Sequence, residues 1–179
     1  MDYIFGPVAS RRLGLSLGID LIPYKTCTFD CIYCELGKTT NKTLLRKDYV
    51  PSNIIIKELK GYLDRIDTTP DYITLGGSGE PTLNLQIGDI IKEIKKITKI
   101  PVAVLTNSSL LFLKEVRKEL KEADLILPSL DGTCQDIFSY LNRPHPDLTI
   151  NNIIDGIINF KKEFKGRLWL EILLCKGIN

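Results

Sequence analysis

The sequence predicts a single α/β domain built on a parallel sheet with right-handed crossovers. Apolar strand-like runs alternate with amphipathic helical stretches almost from end to end, the order that builds strand–helix–strand units. The runs are also apolar at nearly every position, as in PVAVLTN (Pro101 to Asn107), and such strands are covered on both faces. Length agrees: 179 residues bury one sizeable core and do not divide comfortably into two. Residues 1–179 are expected to form one domain.

The elements follow in order. Leu15 to Ile22 is the first strand, closed by Pro23, and a polar cysteine-bearing loop runs on to about Asp48. Helical spacing of Ile55, Leu59, Tyr62 and Ile66 marks the first helix, with Ser52 as its expected N-cap. Asp71 to Leu75 is the second strand; Ile87, Ile90, Ile91, Ile94 and Ile97 mark the second helix. After the third strand, Leu110, Leu113, Val116, Leu120 and Ala123 mark a third helix, and Asp124 to Gly132 holds the fourth strand and its turn. Thr133-Cys134-Gln135-Asp136 resembles a capping box for a short helix reaching about Leu141. Ile150 to Phe164 is amphipathic, and Arg167 to Cys175 reads as a fifth strand. Internal repeats and low-complexity segments are absent.

Composition excludes some classes. Charged residues interrupt every apolar run well before the roughly 20 residues of a membrane span, so no membrane association is expected. The N-terminus MDYIFGPVASRRLG lacks the charged head and apolar middle of a secretory signal, and a cytoplasmic location is the expectation. The 24 basic and 22 acidic side chains nearly cancel, unlike the marked cationic excess of a general nucleic-acid binder. In that compartment the five cysteines are expected as thiols or metal ligands rather than disulfides.

Three of them crowd into Cys27-Thr28-Phe29-Asp30-Cys31-Ile32-Tyr33-Cys34, in the loop after the first strand. Soft thiolates select zinc, copper or iron–sulfur clusters. Structural zinc usually takes four protein ligands, often as two separated pairs. Here Cys134, Cys175 and His145 are scattered singly. A trio suits a cubane with one iron free of protein. Zinc, or a thiol redox pair at Cys31 and Cys34, stays open on spacing alone, although the glycine-broken ELGKTT that follows is not the helix start that activates such pairs.

A second motif, Gly76-Gly77-Ser78-Gly79-Glu80-Pro81-Thr82, follows the second strand directly. In parallel sheets ligands gather at the carboxyl ends of strands, and both motifs fall there. Three glycines permit close approach to a ligand, and Glu80 is an acceptor suited to an ammonium. The Gly-Lys-Ser/Thr ending of a phosphate loop is missing. The alternative is a plain strand-to-helix turn.

CTFDCIYC resembles the Cys-x3-Cys-x2-Cys signature of the radical S-adenosylmethionine (SAM) superfamily, aromatic residue before the third cysteine included. Within it, GPVASRRLGLSLGIDLIPYKTCTFDCIYCELGKTT is similar to the branch of iron–sulfur oxidoreductases related to wyosine-synthesis enzymes. The resemblance implies a partial (β/α) barrel, here with five strand–helix units and the sixth missing. It implies a [4Fe–4S] cluster on Cys27, Cys31 and Cys34, whose unique iron chelates SAM and whose electron cleaves it to a 5′-deoxyadenosyl radical that takes hydrogen from a substrate. Gly76, Gly77, Gly79 and Glu80 resemble the GGE-type motif that holds the methionine amino group, with a Ser-Gly insertion. Tyr33 is expected near the adenine, unless it is a packing aromatic. Asn107, Ser129 and Asp131, at strand ends, are expected on the ribose or methionine carboxylate, or as caps of the next helix or turn. Arg143 could make a bidentate contact with a carboxylate.

The remaining expectations concern partners. Lys38, Lys42, Arg46 and Lys47 form a basic run, either a solvated loop or a surface greeting a flavodoxin- or ferredoxin-type electron donor or a tRNA phosphate. Wyosine-forming relatives carry further cysteines ahead of the radical motif; none precedes Cys27, so wyosine synthesis is not assigned. His145 is expected as a loop residue, Cys134 and Cys175 as buried, and Glu171 either on the exposed face or pointing into the cavity. The fifth strand is expected to form a sheet edge covered by a partner copy or another chain. The rival to an enzyme is a non-catalytic iron–sulfur, zinc or electron-transfer module, a truncated relic of the family.

Overall fold

The computed structural model describes residues 3–179. Its strands are β1 (Ile4–Ser10), β2 (Gly14–Ile19), β3 (Thr26–Cys27), β4 (Asn41–Lys42), β5 (Tyr72–Leu75), β6 (Val102–Thr106), β7 (Leu125–Pro128) and β8 (Arg167–Leu168). Its helices are α1 (Ser52–Leu63), α2 (Ile87–Ile97), α3 (Lys114–Glu119), α4 (Gln135–Asn142) and α5 (Ile150–Glu163). The main sheet has the order β1-β2-β5-β6-β7-β8. From β2 to β8 every pairing is parallel, while β1 joins antiparallel to β2. The expected five-strand partial barrel is therefore present, with a hairpin added at its front.

Side chains alternate along each strand. Leu17, Ile19, Ile73, Leu75, Val102, Val104 and Ile126 share one core with Ile55, Leu59, Ile90, Ile94 and Phe160 of the helices. The opposite, concave face carries Tyr72, Ala103, Leu105, Leu125 and Leu127, closed by Leu13 from the hairpin turn. Most of these side chains are fully buried, and each contributes roughly 1.5–3 kcal/mol relative to exposure.

Several boundaries differ from expectation. β1 was not foreseen, because Gly6-Pro7 breaks its apolar pattern; the register shifts there between Phe5 and Val8, a bulge of the kind that admits proline at a sheet edge. The fifth strand is regular only over Arg167–Leu168. Trp169 N–H and Glu171 N–H still donate to Ile126 O and Pro128 O at 3.0 and 2.9 Å, but Leu173 N–H turns to Asp131 Oδ1 and the ladder ends. The third helix is shortened: Ser108 takes a left-handed φ of 69°, and Asn107 Oδ1 accepts from Ser109 N–H at 3.0 Å, so Leu110 and Leu111 lie in a turn. Ser52 does not cap α1, since the N-cap is Pro51; Gln86 Oε1 accepts the Ser52 N–H at 2.7 Å instead. The box at Thr133–Asp136 is not formed, whereas Thr149 and Asn152 form one at α5.

Candidate functional site

The cysteine loop is fixed from beneath by its own intervening residues. Phe29 is buried and packs edge-on against Phe138, with ring centroids 5.4 Å apart, in a small core with Leu148, Ile150 and Ile153. Asp30 N–H and Ile32 N–H donate to Asn142 O and Leu141 O at 3.0 and 2.9 Å. These are the last carbonyls of α4, which lack partners within the helix. Thr28 is fully buried and donates to Ser109 Oγ at 2.7 Å. Asp30 accepts from Thr39 N–H at 2.7 Å, and that bond holds its carboxyl below the usual range.

On this base the three half-buried thiols each meet a nitrogen donor. Asn107 Nδ2 lies 3.5 Å from Cys27 Sγ, Asn142 Nδ2 3.5 Å from Cys31 Sγ and Lys25 Nζ 3.3 Å from Cys34 Sγ. Burial pushes the Cys27 thiol up to about 12, and the Glu80 carboxylate adds to it. Burial raises Cys31 as well, opposed by bonds from Asn142 and Tyr33. Such thiols keep their protons until a metal displaces them. Among the described residues no three His, Cys, Asp or Glu side chains are gathered as the ligands of one ion would be. A single zinc draws its ligands to about 2.0–2.3 Å of one point; a cubane seats each thiolate on a different iron and asks only that they surround it. The soft donor set fits a cluster.

The glycine-rich loop is tied to the cysteine loop through its backbone. Ser78 O accepts from Lys25 N–H at 2.8 Å, and Glu80 N–H donates to Thr26 O at 3.3 Å. Gly79 is required by this closeness, because a Cβ there would lie 1.9 Å from Thr26 O. Gly77 has φ 154° and lies against Asp20, whose Oδ2 accepts from Ser78 N–H at 3.1 Å. The inserted Ser-Gly pair is thus the piece that joins the two loops.

Glu80 is 1% exposed. Its carboxylate accepts from Thr82 N–H at 3.1 Å, Thr106 Oγ1 at 2.7 Å and Asn107 N–H at 2.7 Å, besides the Thr82 hydroxyl. Burial raises its carboxyl while those bonds oppose the rise. Three of these bonds fall on Oε1 and one on Oε2.

Tyr33, Asn107, Ser129 and Asp131 come together and line one small cavity of about 40 Å³. Tyr33, Ser129 and Asp131 also line an adjoining groove of about 430 Å³ along the ends of β7 and β8, a volume suited to a small molecule. Asp131 is buried and accepts from the Tyr33 hydroxyl, Asn142 Nδ2 and Leu173 N–H. Burial pushes the Tyr33 phenol upward. Arg143 lies elsewhere: exposed, with a left-handed φ of 44°, it ends α4, and its carbonyl accepts from Lys42 Nζ at 3.1 Å. Glu171 points into the groove.

Of the basic run, Lys38, Lys42 and Lys47 are exposed and Arg46 is withdrawn. Arg46 is nearly buried against Glu119 and donates to Thr82 O at 2.8 Å, and Lys47 lies over the Tyr49 ring. Cys134 is exposed and Cys175 half-buried, neither in a core. His145 is a loop residue whose N–H donates to Thr28 O. Lys25, Asn142 and Asp20 were not foreseen as parts of the site; a lysine two residues ahead of Cys27 was the one available signal.

Comparison with known proteins agrees. Residues 21–179 match the Radical SAM superfamily. A Brachyspira hyodysenteriae protein named GTPase Obg is 47% identical over 98% of this chain and 26% of its own length. UPF0026 proteins of Methanocaldococcus jannaschii and Synechocystis are 37% and 41% identical over 99% and 97% of this chain, and 56% and 64% of theirs. The chain thus spans between a quarter and two-thirds of these relatives. Among solved structures, TYW1 with a lysine–pyruvate adduct bound superposes with a TM-score of 0.62 at 18% identity, over 92% of this chain and 57% of that one. The anSMEcpe structure with bound AdoMet gives 0.63 at 20%, over 87% and 42%. At such identities these two likenesses show the fold alone. The match along the chain and the cysteine loop converge: this protein belongs to the radical SAM superfamily, whose cofactors are a [4Fe–4S] cluster and S-adenosylmethionine.

Proposed function

We propose that the chain is the catalytic core of a radical SAM enzyme. Cys27, Cys31 and Cys34 would hold the cluster, and the 430 Å³ groove that shares Tyr33, Ser129 and Asp131 with the small cavity beside Asn107 would receive SAM. When bound, the cluster supplies one electron that breaks a carbon–sulfur bond of SAM, giving methionine and a 5′-deoxyadenosyl radical. The observation that carries the reading is the loop itself: three thiols, each with its own nitrogen donor, beside a groove at the strand ends.

The chain's residues have separate tasks here. Lys25 offers a positive charge to the Cys34 sulfur. Gly76 and Gly77 present main chain rather than side chain to the cofactor. Glu80 acts as a positioning residue, holding the Asn107 amide and the Thr106 hydroxyl at the end of β6. Tyr33 and Asp131, bonded to each other, form the wall between cavity and groove. The electron donor is expected to be a flavodoxin- or ferredoxin-type protein. The apolar edge beyond β8, where Ile172 and Leu174 are 56% and 78% exposed, would be covered by a second copy or another chain.

The test is anaerobic reconstitution with iron and sulfide. About four irons and four sulfides per chain are expected, with release of 5′-deoxyadenosine from SAM under strong reductant. A colourless protein carrying one zinc overturns the proposal.

A further inference from the structure

The turn ahead of Cys27 buries a cation without giving it a carboxylate. Lys25 is 3% exposed, and among the described residues no acidic side chain forms a salt bridge with it. The Asp30 carboxyl is held down chiefly by the Thr39 N–H, then by Lys42 and Arg143, with Lys25 contributing least. The hydrogen-bond acceptor of the ammonium is Cys34 Sγ, at 3.3 Å. The backbone beneath it is strained, because Lys25 has a left-handed φ of 58°, a conformation that glycine adopts freely and a residue with a Cβ does not. Three main-chain bonds enforce it. Lys25 N–H donates to Ser78 O at 2.8 Å, Asn41 N–H to Lys25 O at 3.1 Å, and Thr26 N–H to Pro23 O at 3.1 Å. A position made for glycine thus bears a long, charged side chain aimed at a cluster cysteine, and strain of this kind points to function.

We propose that Lys25 sets the reduction potential of the cluster, its ammonium serving as a fixed counter-charge to the metal-bound Cys34 sulfur. In the empty protein a buried ammonium facing a neutral thiol is a cost. With three thiolates and the inorganic sulfides in place the site is net negative, and gaining one electron makes it more so. A fixed positive charge beside one ligand therefore favours the reduced state over the oxidised one. Hydrogen bonding to a cluster sulfur acts in the same direction, and burial keeps water from screening either effect. The other two sulfurs meet amides, Asn107 at Cys27 and Asn142 at Cys31, so of the three nitrogen donors Lys25 is the charged one. Its effect is on the ease of reduction and not on the holding of iron. The inference deepens the proposed function and rests on its cluster, but SAM is not needed to test it.

Potentiometric titration of the anaerobically reconstituted chain, followed by the electron paramagnetic resonance of the reduced cluster and done without SAM, tests it. Lys25→Met keeps the stem and removes the charge. It is expected to hold as much iron as wild type and to shift the reduction equilibrium about tenfold toward the oxidised state, about 59 mV more negative for one electron. Lys25→Arg keeps the charge and is expected to return the potential toward the wild-type value. Thermal melts of the apoproteins are expected to place Lys25→Met at or above wild type, since the uncompensated charge is gone. An unchanged potential in Lys25→Met with full iron overturns the assignment. A melt far below wild type, or iron lost equally from Lys25→Met and Lys25→Arg, also overturns it by making Lys25 a structural prop. So does weakened SAM binding in Lys25→Met at an unchanged potential, which places the ammonium on the cofactor instead. Release of 5′-deoxyadenosine by the wild-type preparation reports on the radical reading separately. A redox-active cluster that leaves SAM intact sinks that reading and spares this one.

Discussion

Alanine in place of Cys27, Cys31 or Cys34, one at a time, is expected to lower reconstituted iron from about four per chain to below about one and to abolish 5′-deoxyadenosine release. The reason is local. Each sulfur has a different neighbour, Asn107, Asn142 and Lys25, so no one of them can move over for another. The remaining thiols cannot substitute: Cys134 is exposed at the start of α4 and Cys175 lies beyond β8. Far-UV circular dichroism should be unchanged, because the loop is held by Phe29, Thr28 and the α4 carbonyls rather than by the sulfurs. Cys134→Ser and Cys175→Ser serve as controls that keep full iron. Cluster absorbance surviving in any of the three alanine variants would remove that cysteine from the ligand set.

Gly79→Ala should be the most damaging small substitution. Its Cβ would stand 1.9 Å from Thr26 O and 2.8 Å from Thr26 C, and main chain cannot rotate aside as a side chain does. Relief requires parting the two loops, which breaks the Glu80–Thr26 and Lys25–Ser78 backbone bonds and exposes the Glu80 network. A destabilisation above about 3 kcal/mol is expected, measured by urea denaturation, together with failure to retain iron. Gly37→Ala is the comparison. It also follows the cysteine motif, with φ 78°, but has open space around it, so only the backbone penalty of about 1–2 kcal/mol applies. Similar losses for the two would show that the contact at Gly79 is relieved by some other movement.

What could be read from the sequence divides along physical lines. Periodicity located α1, α2, α5 and the strands β2, β5, β6 and β7, because burial dictates apolar spacing wherever an element packs on both sides. It failed at the margins. β1 carries Gly6-Pro7 within a bulge, and the Arg167–Cys175 run keeps its apolar pattern after its hydrogen bonds have turned to Asp131. At α1 capping followed a tertiary contact instead of the local motif, with Gln86 serving Ser52. The cysteine trio and the glycine loop were legible as ligand chemistry. That Ser78-Gly79 joins them, and that Glu80 is buried among protein donors, depended on neighbours distant in the chain. Arg46 illustrates the same limit: a charge on a loop reads as surface until Glu119 is seen beside it.

The hairpin that periodicity missed has a consequence for traffic. A half-barrel left to itself is open at two ends. Leu13 stoppers one of them, packed against Tyr72 and Leu125 where the parallel strands begin, and Phe5 leans over Gly18 along the flank. Under the proposed reading, both reactants would then come in from the cysteine side: whatever is to be attacked by a radical would cross the same threshold as the nucleoside that generates it.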